Sequence, residues 1–280
     1  MNERVLTNSL LNDFMIYLRE DEKSHATIDK YMRDLNKFMA FAGGRSIDKH
    51  LILDYKEFIA KSYAVSSTNS MLAVLNAFLR FAGWYECCVK RLKVQTKAYC
   101  SEDEELTKEE YIRLVNIADR NGNERLALII QTLCSTGIRI SELEYITVES
   151  LPHGESEVNC KGKTRVIFIV PELRKKLGEY AKKIGVKSGP VFVTRSGAPV
   201  DRSNIWREMK ALCEQAGVSP TKVYPHNLRH LFARTFYGLE KDIAKLADVL
   251  GHTNISTTRI YIVTTGTEHK RKMEKMKLIL

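Results

Sequence analysis

A chain of 280 residues exceeds the roughly 100–200 residues of a usual single domain, so two hydrophobic cores are the starting expectation. Apolar residues at 44% and charged residues at 28% exclude a disordered or low-complexity chain, and a formal charge of +10 with a pI near 9.2 points to a polyanionic partner, nucleic acid first. Six cysteines with no CxxC pair and no histidine cluster at zinc-finger spacing exclude the common cysteine-built frameworks and read as reduced, structural thiols.

The first residues carry charges on both sides of a short apolar stretch and lack the centre of a signal peptide. No run approaches the roughly 18 apolar residues of a membrane span, and a cytoplasmic protein is expected. From about residue 7 to 86 the pattern is helical. Leu10, Leu11, Phe14, Met15 and Leu18 recur at three- and four-residue steps, and further helices are expected over about 25–42, 47–62 and 66–82. Gly43-Gly44 and Val65–Asn69 supply the breaks. Four helices with short links make a bundle, assigned to residues 1–90.

Residues 91–104 run from basic to acidic with little apolar periodicity and read as a linker. Thr107 and Glu110 then have capping-box spacing and open a second domain, 105–280. Helices are expected at about 107–120 and 123–136, followed by a short helix over Arg139–Tyr145. Glu157–Cys160 and Arg165–Val170 read as two strands around a tight basic turn, Lys161–Thr164. The rest is helical, with a candidate strand at Val191–Val193. Residues 161–209 hold 12 Lys or Arg against 4 Asp or Glu, a segment suited to a phosphate backbone. The fold class is mainly α with a small β component, a helical bundle followed by a mixed α/β domain.

Four separated segments carry the chemistry: S-T-G-I-R-I-S-E-L at 135–143, C-K-G-K-T-R at 160–165, P-H-N-L-R-H at 225–230, and L-G-H at 250–252 with Tyr261 nine residues later. Singly, each has an ordinary structural reading, such as a surface arginine or a packed aromatic. In this order, Arg139, Lys161, His226, Arg229, His252 and Tyr261 match the pattern of the tyrosine recombinase (phage integrase) family. The chain resembles that family over nearly its whole length. The resemblance implies a core-DNA-binding domain first and a catalytic domain from about residue 105.

Cleaving a phosphodiester needs a nucleophile, positive charge at the non-bridging oxygens and a proton for the leaving oxygen. Arg139 and Arg229 are permanently charged forks that fit phosphate oxygens. His226 lies three residues before Arg229, so the two share a helical face. His230 points about 100° away from Arg229 and reads as structural. His226 and His230 lack the glutamate and third ligand of a zinc helix.

The resemblance makes Tyr261 the nucleophile, Lys161 the general acid and His252 a hydrogen-bond donor to the phosphate. Lys163, two residues on, remains an alternative to Lys161. Glu142 orients Arg139 or the helix that follows. The implied reaction runs through a covalent 3′-phosphotyrosine and a Holliday junction, with no metal and no other cofactor. Its implied setting is a homo-tetramer on two DNA duplexes, with accessory proteins left open. The tail Thr267–Leu280 resembles the family's terminal helix, which docks on a neighbouring protomer. The alternatives are a type IB-like DNA topoisomerase and a non-catalytic DNA-binding regulator.

Overall fold

The computed structural model describes residues 4–93, 104–160, 163–194, 196–261 and 274–276. Contacts divide the chain into two compact units, Met1–Thr96 and Lys97–Leu280.

The first unit is built from α1 (Asn8–Glu20), α2 (His25–Ala42), α3 (Lys49–Ser62) and α4 (Val65–Phe81). The apolar stripe of α1 buries Leu11, Phe14 and Leu18. Thr7 accepts a hydrogen bond from the Leu10 amide at its start, and Asp48 does the same for Leu51 in α3, each satisfying an amide that has no partner within the helix. Phe14 meets Phe78 of α4 edge to face, ring centroids 5.4 Å apart, at the centre of the core. Asn76 and Asn69, two helical turns apart on α4, clasp the extended segment after it. Asn76 bonds both the amide and the carbonyl of Val89, and Asn69 does so for Leu92.

The second unit opens with α5 (Lys108–Arg120) and α6 (Glu124–Thr136). Both bonds of the capping box are made, Glu110 N to Thr107 Oγ1 at 3.2 Å and Thr107 N to Glu110 Oε2 at 2.8 Å. Helix α6 ends on Gly137 in the left-handed region at φ +64°, where a Cβ would lie 2.4 Å from the Phe232 ring. A 3₁₀ turn, Ile140–Tyr145, follows, then the hairpin β1 (Glu155–Cys160) and β2 (Lys163–Phe168). The rest comprises α7 (Pro171–Lys183), α8 (Arg202–Ala211), α9 (Cys213–Ala216), α10 (Pro225–Glu240), α11 (Ile243–Leu250) and α12 (Ile255–Arg259). The described residues are thus mostly helical with one two-stranded antiparallel sheet.

Strand β2 lies two residues earlier than the sequence pattern suggested, and β1 begins two residues earlier but ends at Cys160 as expected. Lys163 and Thr164, expected in the turn, pair with Cys160 and Asn159. Strand β2 stops at Phe168 because Pro171 opens α7, with Val170 as its N-cap. Val191 and Phe192 are core residues, but Val193 makes only an isolated bridge to Pro199. Cys87, Cys88, Cys134 and Cys213 are free thiols, and burial pushes Cys134 up to about 12.

Candidate active site

Helix α10 carries His226, Arg229 and His230, and Arg229 is wholly buried, at 0% exposure. A buried guanidinium needs compensation, and here backbone carbonyls supply it at the ends of two helices. Nη1 donates to Gly137 O at the close of α6 at 2.6 Å, and Nη2 to Leu250 O, the last residue of α11, at 2.7 Å. Both helices end on left-handed glycines, Gly137 and Gly251, and helix C-termini carry partial negative charge. Desolvation, and then the nearby charge of Arg139, lower the Arg229 pKa to about 10, so it stays cationic at neutral pH. Its Nε has no hydrogen-bond partner among the described residues.

Arg229 Nη2 also lies 2.9 Å from His252 Nε2. A guanidinium can only donate, so Nε2 accepts and the ring proton sits on Nδ1, which donates to Thr258 Oγ1 at 2.9 Å. The neutral ring agrees with a pKa lowered to about 4 by desolvation first and the charge of Arg229 second. A His252 that donates to a phosphate, as the resemblance implies, must therefore move or gain a proton to present Nε2–H.

Arg139 leads into the 3₁₀ turn, its side chain 38% exposed and free to meet a ligand. Its amide donates to Glu142 Oε2 at 2.7 Å and its Nη1 to Glu142 Oε1 at 2.9 Å. Burial alone would raise the Glu142 pKa. The Arg139 amide and the charges of Arg165 and Arg139 outweigh it, and the carboxylate is held below its ordinary value.

Tyr261 follows α12 and is 7% exposed, packed with Ala233, Leu246 and Leu250. Its ring faces three histidines, with centroids 4.3 Å from His230, 5.2 Å from His252 and 6.3 Å from His226, and Arg229 Cζ lies 5.8 Å above it. Desolvation, then Arg234, lowers the His230 pKa to about 4, and desolvation with Arg229 and Arg139 lowers that of His226.

Five of the six sequence-picked residues, Arg139, His226, Arg229, His252 and Tyr261, therefore gather at one place. Lys161 lies outside the described residues, and so does the terminal tail except for 274–276. His230, read from sequence as structural, is the histidine nearest the Tyr261 ring. Two further contributors were not singled out: Thr258 fixes the His252 tautomer, and Arg165 grips Glu142 and donates to Val249 O at 2.7 Å. A cleft of about 890 Å³, whose lining includes Arg139, Arg165 and His252, opens beside them.

The Phage integrase family model matches residues 104–267, more than half of the chain, and the Phage integrase N-terminal SAM-like domain matches 11–86. The chain belongs to the phage integrase family of tyrosine recombinases. Its curated relatives include tyrosine recombinase XerA of Pyrococcus horikoshii, 31% identical over 99% of this chain and 96% of that protein. XerA of Pyrococcus furiosus is 29% identical over 100% of this chain and 98% of that one. A crystal structure of XerA recombinase aligns with a TM-score of 0.55 at 26% identity, covering 98% of this chain and 100% of the other. A lambda integrase tetramer bound to a Holliday junction shares the fold, with a TM-score of 0.74 at 18% identity over 93% of this chain and 78% of the other. As a tyrosine recombinase, the chain is a DNA breaking and rejoining enzyme of site-specific recombination, and the relatives favour neither the topoisomerase nor the regulator alternative. Among the described residues, no group of three or more His, Cys, Asp or Glu side chains converges to hold a metal ion, and no helix is long and apolar enough to cross a membrane.

Proposed function

We propose that this recombinase cuts double-stranded DNA by direct attack of the Tyr261 hydroxyl on a backbone phosphate held between Arg139 and Arg229. The Tyr261 Oη–P bond forms as the P–O5′ bond breaks, leaving a 3′-phosphotyrosine and a free 5′ hydroxyl. Lys161 gives the 5′ oxygen its proton, with Lys163 the alternative, and His226 with solvent takes the phenolic proton. The two guanidiniums meet the charge that grows on the non-bridging oxygens, and His252 adds a third donor once Nε2 carries a proton. Attack by the 5′ hydroxyl of another strand reverses the chemistry and joins DNA in a new order, without a metal ion or other cofactor.

Domain roles follow the sequence reading: 1–90 grips DNA beside the cleavage point, 91–104 links, and 105–280 cleaves. The partner is duplex DNA synapsed by a homo-tetramer through a Holliday junction in the cytoplasm, with accessory proteins left open. Lambda integrase, which shares the fold, forms a tetramer bound to such a junction, and this supports the assembly. The observation that carries the proposal is the convergence of Arg229, His252 and Tyr261, in which a tyrosine ring lies 5.8 Å from a buried cation.

The test uses a library of nicked duplexes with randomised cores, from which covalent protein–DNA complexes are isolated and sequenced. Wild type is expected to recover one family of sites with DNA attached at Tyr261, and Tyr261→Phe to bind the recovered duplex without forming a covalent bond. A 5′-bridging phosphorothiolate in that duplex needs no proton to leave, so it should restore cleavage to Lys161→Ala. Covalent attachment in the Phe variant defeats the nucleophile assignment, and rescue of Lys163→Ala alone moves the general acid to Lys163.

A further inference from the structure

Arg165 is a β2 residue opposite Val158, and its side chain is 13% exposed. Both ends of its guanidinium are engaged. Nη2 donates to Glu142 Oε2, and Nη1 donates to Val249 O near the end of α11 at 2.7 Å. Its stem runs beneath Gly251, where a Cβ would come within 2.4 Å of Arg165 Cδ. Anchored at two points, that stem cannot swing aside, so Gly251 is required by space as well as by its φ of +67°.

The result is a chain of charge, Arg139–Glu142–Arg165, in which one buried carboxylate is shared by two guanidiniums. Glu142 has both oxygens committed, Oε1 to Arg139 Nη1 and Oε2 to the Arg139 amide and Arg165. Without Arg165 the carboxylate would lose one of its two counter-charges and be held by Arg139 alone, so that the pair could shift together. The Val249 bond holds the backbone two residues before Gly251 and three before His252. Arg165 thus ties together the turn of Arg139, the hairpin strand, and the end of the helix that delivers His252.

We propose that Arg165 is a positioning residue for the cleavage reaction. It does not touch the phosphate, but it sets the angle at which Arg139 presents its guanidinium. This rests on the reading of Arg139 as a phosphate clamp. Groups that orient a reactive side chain are held by hydrogen bonds of this kind, and a misplacement of about 1 Å costs on the order of 10²-fold in rate.

The test compares Arg165→Ala, Arg165→Lys, Glu142→Gln and Arg139→Ala in the full chain, on the duplex recovered by covalent selection, with either a phosphodiester or a methylphosphonate at the scissile position. A methylphosphonate lacks the charge that Arg139 neutralises, so it makes the clamp less necessary. Single-turnover cleavage of the phosphodiester by Arg165→Ala is expected to fall by about 10²-fold, with equilibrium DNA binding within a few-fold of wild type. On the methylphosphonate this deficit should shrink by at least about tenfold, in parallel with that of Arg139→Ala. Arg165→Lys keeps a positive charge in the core but cannot reach both acceptors, and it should behave in the same way if Arg165→Ala does not fold. Wild-type rates in the Arg165 variants, or a deficit equal on both linkages, overturn the proposal while an impaired Arg139→Ala leaves the clamp standing. Wild-type cleavage by Arg139→Ala removes the clamp itself.

Discussion

In the helical unit the buried polar side chains among the described residues are neutral, and apart from the Tyr55 hydroxyl they are paired. Thr68 lies within reach of two backbone carbonyls, and Asn76 bonds both sides of Val89. The catalytic unit buries the charged Glu142 and Arg229 as well, and among the described residues Arg229 Nε and Arg165 Nε have no hydrogen-bond partner. Neutral amides that close on one another fix a chain segment and do nothing else. Charges taken out of water cost stability, and on the proposed reading they persist here because the charge of a phosphate is to be received. The difference between the units is thus a difference in what their interiors are for.

The largest expected effect tests the charged half of that contrast. Arg229→Lys keeps a cation but loses the fork that spans two helix ends and, on the proposed reading, a phosphate. Single-turnover cleavage should fall by about 10²–10³-fold, the usual loss for one donor to a developing oxyanion. DNA affinity should change only a few-fold, because many other lysines and arginines share the backbone contacts. A lysine variant at wild-type rate would show that charge alone suffices there.

The neutral half predicts the reverse pattern. Asn76→Ala strands the amide and carbonyl of Val89 and should cost about 1–3 kcal/mol in urea unfolding of the helical unit. Its cleavage rate on saturating DNA should stay at the wild-type value. Loss of rate at saturation would mean that the segment after α4 does more than pack.

A third effect is one of pH. His230 and His252 have folded pKa values near 4, below the ordinary histidine value of 6.5. The unfolded chain therefore binds more protons than the folded one between about pH 6.5 and 4, and stability falls as pH drops through that window. Thermal unfolding scans from pH 7.5 to 4.5 should trace the decline, at about 2–4 °C per kcal/mol lost, and His230→Phe or His252→Gln should flatten it. A profile that the two substitutions leave unchanged would mean that other groups carry the acid sensitivity.

Much of this architecture was legible from spacing. Leu11, Phe14 and Leu18 fall on the buried face of α1 as their three- and four-residue steps require, and the Thr107–Glu110 box forms both of its bonds. Strand β2 was displaced because lysine and threonine look like turn residues, yet the ladder runs through Lys163 and Thr164. At the site, motif order led to residues that do come together. His230 escaped because its angle was reckoned from Arg229, whereas the position of Tyr261 is set by α12, and from there His230 is nearer than His226. Arg165 escaped for another reason. Its bonds to Glu142 and Val249 span 23 and 84 residues, and no periodicity within one segment encodes such a reach.

The guanidinium of Arg229 draws its partners from the last turn of α6 and the last turn of α11, each closed by a glycine that has turned left-handed. A carbonyl at a helix end points where it does only if the turn before it is wound. The site therefore works as a proofreader of its own assembly. If either helix frays by one residue, the buried cation loses an acceptor before any DNA arrives, and the cost of stranding that charge drives the helix to rewind. A chain able to hold a phosphate here has, by the same bonds, already finished folding the two helices that frame it.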